Sequence, residues 1–526
     1  MYLFVLGITG FLAVRAMRSS RDWVTVRDLL AVCVISAIPR VAFFQKTTFR
    51  PAHHFLELFA NGPDVNYAYP LSFPALIRLV TALGGGHWDR HEVAWHVGLV
   101  LGILTPALFY FVSFRLIPNR MLAWTMALLL ALNPAHVMFS GPYDFSTTSI
   151  FTEVLSHLLL LLFFQTRRPA FLVAFVPASF LFYLSRPENS AVFYLHAVCL
   201  LYAYWSLHGS RRPLAACLAV FFGLNLSYQH AWWVSRSYEH NHAVSHLWYA
   251  PLSVLTAIPD VSWDHFIDWE WCPPYLLPLL LLGIWRIARA PALVHAYPLA
   301  LLAIFLLVYG DIESMTIHRN ARYFVNPAPA TFLVIAAGVE WIYQRWERAP
   351  AWVMAGIAAV FLAFVPALAH NTYLTQNEWA FYWDEARVTR PSDARVWIYS
   401  MNAGHWDDYV RSQRDAGEIT PAMADTFLNE KDYFYTEFED SHLFNNGWAT
   451  PVFHETSELR AGDYLFLGAS CYQLVVAGDA MLPDCARQLA DPRNEVVKSH
   501  EYLARPFHSR APWILSGVSD HFRTAT

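Results

Sequence analysis

Twelve apolar runs punctuate the first 370 residues. They lie at roughly 2–14, 28–45, 93–114, 121–139, 147–165, 170–184, 190–207, 213–231, 273–288, 292–310, 323–343 and 350–369. Several fall short of the ~20 residues that a helix needs to cross a bilayer, so the loops carry part of the argument. These form two alternating sets. One is short and basic: "RAMRSSR", "RLIPNR", "QTRRPA", "HGSRRP", "WRIARAPA" and "YQRWERAP". The other is longer and mixed or acidic, at 46–92, 140–146, 185–189, 232–272 and 311–322. Arg and Lys are retained on the cytoplasmic side of membrane proteins. The basic set is therefore expected inside, and the second set, with the tail after residue 370, outside. The run at 2–14 begins at Met1 with no basic n-region and no clear cleavage site, so it does not read as a signal peptide. It counts either as a short twelfth span or as an accessory helix.

The pattern changes after residue 370. "ARVWIYS" reads as a strand and "DYLFLGASCYQLVV" as another strand or two; "EITPAMADTFLNEKDYF" has helical spacing, and "APWILSGVSDHF" closes the chain. Charge changes at the same place. Residues 1–370 hold 41 of the 77 Asp, Glu, Lys and Arg with a net charge of +5, and residues 371–526 hold the other 36 with a net charge of −10. Over the whole chain only 15% of residues are charged, against about 25% in an ordinary soluble domain. The two regions are thus expected in different solvents. The expected fold class is an all-α polytopic membrane domain (1–370) of about 11–13 transmembrane helices, with interfacial helices in its first outer loop. A small soluble α+β domain (371–526) follows on the extracytoplasmic side.

Cys33, Cys199, Cys217 and Cys272 lie in or near apolar runs, where they read as small buried hydrophobes. Cys471 and Cys485 are the remaining pair. Outside the cell they would close a loop of about 15 residues, worth roughly 3 kcal/mol in the chain-entropy model; two free buried cysteines are the alternative. No CxxC or zinc spacing occurs, and no basic run points to nucleic acid.

Chemistry-bearing residues gather in the outer set. In "HHFLELF", His53 and Glu57 stand at i, i+4, an arrangement suited to a metal pair or to a base oriented by a histidine. An exposed amphipathic helix is the competing reading. "FPALIRLVTALGGG" reads as a second amphipathic helix, ended by glycines and too short to span. "SGPYDFSTTS" puts Asp144 at a helix start, where Asp also serves as an ordinary N-cap. "YLSRPENS" puts Arg186 and Glu188 in a very short turn, either as site residues or as a local ion pair. "GDIESMTIHRNARYF" carries Asp311, Glu313, His318, Arg319, Arg322 and Tyr323. Arginines at a membrane lip need a partner or snorkel to lipid headgroups. The segment 232–272 holds five Asp or Glu, four His and six Trp, without metal-ligand spacing.

Five of these features together resemble the GT-C superfamily of integral-membrane glycosyltransferases that use polyprenyl-phosphate-linked sugars. The nearest likeness is to its protein O-mannosyltransferases and lipid A aminoarabinose transferases. An early span ends in Arg40 before a long outer loop. "YPLSFPALIRLVTALGG" is similar to the family's stretch after its first loop, and "LNPAHVMFSGPYDFSTTS" to its Pro…Ser…Glu stretch. "YLSRPENS" is similar to its Thr-Arg-x-Glu turn, and "ARYFVNPAPATFLVIAAG" to its late Arg-Tyr…Pro…Pro span start. The likeness covers roughly residues 28–345. In one respect the chain departs from the family: where the family places an acidic pair early in the first outer loop, this chain reads "PAHHFLELF", which leaves Glu57 and Asp64 as the nearest carboxylates.

The resemblance implies a transferase that moves a sugar from a polyprenyl-phosphate donor to an acceptor hydroxyl on the extracytoplasmic face, with inversion. It implies a multi-pass protein of the bacterial inner membrane, in contact with membrane lipids, with no nucleic-acid partner. Glu57 or Asp64 would be the base, oriented or replaced by His53 or His54. Arg319, Arg322 and Arg186 would hold the donor phosphate, since guanidinium matches phosphate geometry. Asp144, Glu188, His318 and Tyr323 complete the expected site. No cofactor is fixed by the sequence, and a divalent metal stays open. A lipid-linked-sugar transporter or flippase and a non-catalytic relative are the alternatives. The first would call for inverted repeats and broken helices at the midplane, and no convincing internal repeat is seen.

Overall fold

The computed structural model describes residues 23–42, 72–85, 87–88, 90–140, 145–206, 211–239, 251–267, 276–290, 293–314 and 325–346, with short segments between 356 and 524. The chain divides into two compact units, one drawn from residues 1–44 and 62–368, the other from 45–61 and 369–526. The run at 2–14, Cys272, Cys471 and Cys485 lie outside the described residues.

The first unit is helical. Its elements are α1 (Trp23–Ala42), α2 (Ser72–Leu83), α3 (Arg90–Leu116), α4 (Arg120–Ala131), α5 (Pro134–Met138), α6 (Phe145–Thr166) and α7 (Pro169–Tyr183). A 3₁₀ turn (Pro187–Ala191) leads into α8 (Val192–Ser206), α9 (Arg211–Glu239), α10 (Pro251–Ile267), α11 (Leu277–Arg289), α12 (Leu293–Ser314) and α13 (Ala328–Tyr343). Among the described residues two helices are long and apolar enough to cross a membrane, Glu92–Leu116 and Phe145–Thr166. α3 packs against α1, α4 and α6, and α6 packs against α7. α6 is buried from Phe145 through Phe163, as a helix apolar on every side must be. α1 does the opposite on one side: Leu30, Val34, Ile38 and Val41 form an exposed stripe, each about 62% accessible. Tyr194, Val198, Tyr202 and Trp205 repeat this along α8. Outward-facing apolar stripes of this size are costly in water and suit hydrocarbon.

Most expected runs coincide with helices, and two differences have local causes. The run 121–139 breaks into α4 and α5. Pro134 supplies no backbone N–H, and the Asn133 side chain caps α5 by accepting from His136 N at 3.0 Å. α10 lies inside the segment 232–272, which was expected as an aromatic outer loop. Its Val254, Ala257 and Val261 are buried, and α10 packs on α12. Gly310 permits that contact, because a Cβ there would stand 3.0 Å from Ile258 and 3.1 Å from the Val254 carbonyl. α2 fits its expectation. It buries Ser72, Phe73, Pro74, Leu76 and Ile77, and it ends at Gly84 and a left-handed Gly85 with φ of 70°. α11 and α13 meet across Gly283 and Gly338, where any Cβ would run into the facing backbone.

The second unit contains β1 (Val396–Tyr399), β2 (Thr450–Val452), β3 (Tyr464–Leu467), β4 (Tyr472–Val475), β5 (Gly478–Met481), β6 (Asn494–Ala504) and β7 (Leu515–Thr524). Five form a mixed sheet of order β2-β1-β3-β7-β6, and β4 pairs with β5 alone. β1 runs parallel to β2 and β3, whereas β7 runs antiparallel to β3 and β6. The strands read from "ARVWIYS" and "DYLFLGASCYQLVV" correspond to β1 and to β3 with β4.

Candidate functional site

The turn "YLSRPENS" is built by its own sequence. α7 ends at Tyr183, and Ser185 N donates to Phe182 O at 3.1 Å. Arg186 is extended, with φ −154° and ψ 141°, as a residue before proline prefers. Pro187 then starts the 3₁₀ turn. Asn189 locks the turn to α6, its Nδ2 donating to Ser149 Oγ at 2.7 Å and to Phe182 O at 3.0 Å. Ser185 Oγ donates to Leu181 O and lies 2.8 Å from Ser72 Oγ and 3.2 Å from Thr152 Oγ1. Ser72 N donates to Leu184 O at 3.2 Å. The start of α2, the first turns of α6 and the end of α7 therefore meet at this turn.

Arg186 occupies the junction. Its Nε stands 2.6 Å from Glu188 Oε1, with both side chains less than a tenth exposed. Its Nη1 donates to Ser146 Oγ at 3.0 Å. Ser146, Thr147, Thr148 and Ser149 in the first turn of α6 are all buried, where the unsatisfied amides of a helix start favour an anion. Tyr309 on α12 is within electrostatic range of Arg186, Glu188 and Glu153, and beside Asn326. Glu153 is 2% exposed, and among the described residues its Oε2 has no hydrogen-bond partner. Asn326, in the lead-in to α13, is fully buried, and neither end of its amide makes an ordinary hydrogen bond among the described residues. Asn189 Oδ1 and Thr148 Oγ1 are in the same condition. Buried polar atoms are nearly always satisfied, and among the described residues His136 Nε2 and Asn225 Oδ1 share this condition elsewhere in the unit.

Two other polar clusters lie in this unit. Arg40, at the end of α1, is 1% exposed and makes five hydrogen bonds. Nη1 donates to Ser36 O, Ser36 Oγ and Ala131 O, Nε to Ser140 Oγ, and Nη2 meets His136 Nδ1 at 2.6 Å. Ser140 Oγ also donates to His136 O. Deeper in the bundle, His196 joins Tyr183 to Tyr297, the latter at 2.7 Å, and the Tyr297 ring packs on His157 with centroids 4.5 Å apart.

Of the residues selected from sequence, Arg186 and Glu188 come together as a buried ion pair. His53, His54, Glu57, Asp64, Asp144, His318, Arg319, Arg322 and Tyr323 lie outside the described residues. Among the described residues no three His, Cys, Asp or Glu side chains converge to hold a metal. Glu153, Tyr309 and Asn326 were missed. For Glu153 a signal existed: a carboxylate inside an apolar run marks a functional position by default.

The chain matches ArnT from Cupriavidus metallidurans in the apo state with a TM-score of 0.50 at 13% identity, over 95% of this chain and 98% of that one. The likeness is one of fold. Other solved structures match at lower scores. ArnT bound to undecaprenyl phosphate gives 0.48 at 13% identity, over 93% of this chain and 97% of that one. The Archaeoglobus fulgidus oligosaccharyltransferase complex with Zn and sulfate gives 0.44 at 12% identity, over 72% of this chain. This chain spans about 60% of the archaeal GT-C protein's length. No family model and no curated protein matches the sequence.

Proposed function

We propose that this protein is a GT-C glycosyltransferase of the bacterial inner membrane. It moves a sugar from a polyprenyl-phosphate donor to an acceptor hydroxyl on the extracytoplasmic face, with the region after residue 370 on that side. The observation that carries the reading is Arg186: a buried cation against the start of α6, paired with Glu188 and bonded to Ser146. A lipid phosphate supplies the acceptor oxygens that such a site needs, and guanidinium binds it with two parallel N–H bonds. Arg319 and Arg322 add charge to the same group. Together they stabilise the phosphate as it leaves.

Glu57 or Asp64 takes the acceptor proton, with His53 or His54 orienting it or acting in its place. The hydroxyl oxygen then bonds to the anomeric carbon as the carbon–phosphate-oxygen bond breaks. A single displacement inverts that centre.

The test is to purify the full chain in mild detergent and identify co-purifying lipids by mass spectrometry, beside Arg186→Ala and Arg322→Ala. A polyprenyl phosphate or its sugar adduct in the wild type, depleted in both variants, is expected. Ordinary phospholipids in all three would overturn the donor reading. An intact donor lipid that is carried across a vesicle membrane without sugar transfer would favour a flippase.

A further inference from the structure

α11 and α13 end alike. Each carries a tryptophan followed one turn later by an arginine: Trp285 and Arg289 on α11, Trp341 on α13 and Arg345 just past its end. Residues four apart meet on a helix surface, so each guanidinium lies over its own ring, 4.6 Å and 3.8 Å from the two centroids. The two rings also touch, edge to face, with centroids 5.7 Å apart. The close backbone approach at Gly283 and Gly338 comes just before them in both helices. Two arginines far apart in sequence are thus brought to one helix-pair end, each seated on an aromatic ring. A ring attracts the charge but offers the N–H groups no oxygen. Among the described residues neither guanidinium makes an ion pair or a hydrogen bond. α11 contains no Asp or Glu, and the one in α13, Glu340, accepts from Gln344 Nε2 at 3.3 Å. Arg286 adds a cation in the last turn of α11. Cations suit a helix C-terminus, yet that effect calls for neither the tryptophans nor their contact. The surface leading to the pair changes in order. Leu281, Trp285 and Arg289 are exposed and stand four residues apart, so one face of α11 runs from apolar through amphipathic to charged. A phospholipid presents acyl chain, interfacial region and phosphate in that same order, whereas a free phosphate would use only the last.

We infer that the paired ends of α11 and α13 bind the headgroup of an anionic phospholipid, with Arg289 and Arg345 on its phosphate and Leu281 and Trp285 along its apolar part. Guanidinium N–H groups match phosphate oxygens in pairs, and basic surfaces between membrane helices suit such headgroups. The loops after both helices belong to the basic set expected in the cytoplasm, so the lipid is one of the inner leaflet. The inference does not rest on the donor reading, which concerns the other side.

The experiment titrates the full chain in mild detergent with a phosphatidylglycerol and with a phosphatidylcholine of the same acyl chains, and counts bound lipid by native mass spectrometry. An interfacial arginine is worth about fivefold toward an anionic lipid, so the wild type is expected to prefer phosphatidylglycerol by about 10- to 30-fold. Arg289→Gln with Arg345→Gln is expected to erase that margin and leave phosphatidylcholine binding within about twofold of wild type. Arg167→Gln with Arg168→Gln is the control. It removes two arginines from another basic loop, one of them also over a ring, Phe164, at 5.8 Å, and the margin is expected to stay. Equal loss in both double variants overturns the site in favour of general charge attraction. A margin that survives Arg289→Gln with Arg345→Gln, or a wild type without one, overturns it outright. Glycerol phosphate is the competitor without acyl chains; if it displaces phosphatidylglycerol at equal concentration, the lipid is overturned as the ligand and a soluble phosphate takes its place. If the glutamine variant does not fold, Arg289→Lys with Arg345→Lys decides instead: it keeps both charges and loses both forks. A reduced margin is then expected, and a margin kept whole overturns the assignment to these guanidinium groups.

Discussion

Two buried arginines in the helical unit, Arg40 and Arg186, show how differently a charge can be held. Arg40 is surrounded by neutral partners, four oxygens and an imidazole nitrogen, drawn from α1, the end of α4 and the α5 segment. Gly102 of α3 completes the fit, since a Cβ there would meet Ser140 and the Arg40 guanidinium. Its hydrogen bonds point into the fold and use up the guanidinium. Arg186 has the Glu188 carboxylate beside it and the Ser146 hydroxyl in front of it. The first cation is held by neutral groups alone and the second by a carboxylate and a hydroxyl. A buried cation is therefore weak evidence of a site, and the state of its neighbours decides.

The largest effect that would break this contrast is at Arg40. Arg40→Ala strands two serines, a carbonyl and a histidine, each worth about 1–3 kcal/mol when left buried without a partner, and a large fall in thermal stability in detergent is expected. A stable Arg40→Ala protein that had lost lipid binding would show that Arg40 is a ligand site after all. Next comes Arg186→Ala combined with Glu188→Gln, which avoids leaving a lone buried carboxylate. A drop of about 10- to 100-fold in polyprenyl-phosphate affinity is expected, with a smaller stability change than at Arg40. The reverse ranking in a paired binding and melting experiment would remove the distinction.

Gly338→Ala tests packing far from either arginine. It drives a methyl group into the Leu279 carbonyl, and about 1–3 kcal/mol of overpacking strain is expected with lipid affinity retained. The smallest effect is expected from a third arginine. Arg120 grips Asp28 through Nε at 2.6 Å and Nη2 at 2.7 Å, yet its side chain is 47% exposed. Tyr110 also donates to Asp28 at 2.7 Å, so part of the carboxylate's support survives. Arg120→Ala should lower the melting temperature by less than Arg40→Ala does and leave binding unchanged. An effect as large as that of Arg40→Ala would mean that half-exposure matters less than argued.

Local signals carried much of the fold. The run at 147–165 is apolar on all sides, and α6 is buried on all sides. The glycines after "FPALIRLVTAL" end α2, and "ARVWIYS" is β1. The signals failed where tertiary contact overrode composition. α10 is rich in residues that read as an interfacial loop, and its helix is fixed by packing on α12 through Gly310. Asn133 and Pro134 were visible, but their breaking of an apolar run depends on a cap and not on hydropathy.

The site divides in the same way. Proline after Arg186 and two charges within four residues of an apolar span announced the turn from sequence alone. Periodicity and charge determined which stretches form helices of the first unit and that a charged turn lies at the end of α7. They act over a few residues, within one helix or one loop. Only the folded chain decided that Arg186 reaches Ser146, forty positions away, and that Ser72, Thr152 and Ser185 meet beside it, because helix packing and not local pattern sets which faces meet. The same packing surrounded Arg40 with neutral groups and set Arg186 against a carboxylate, because it decides which side chains each buried cation meets.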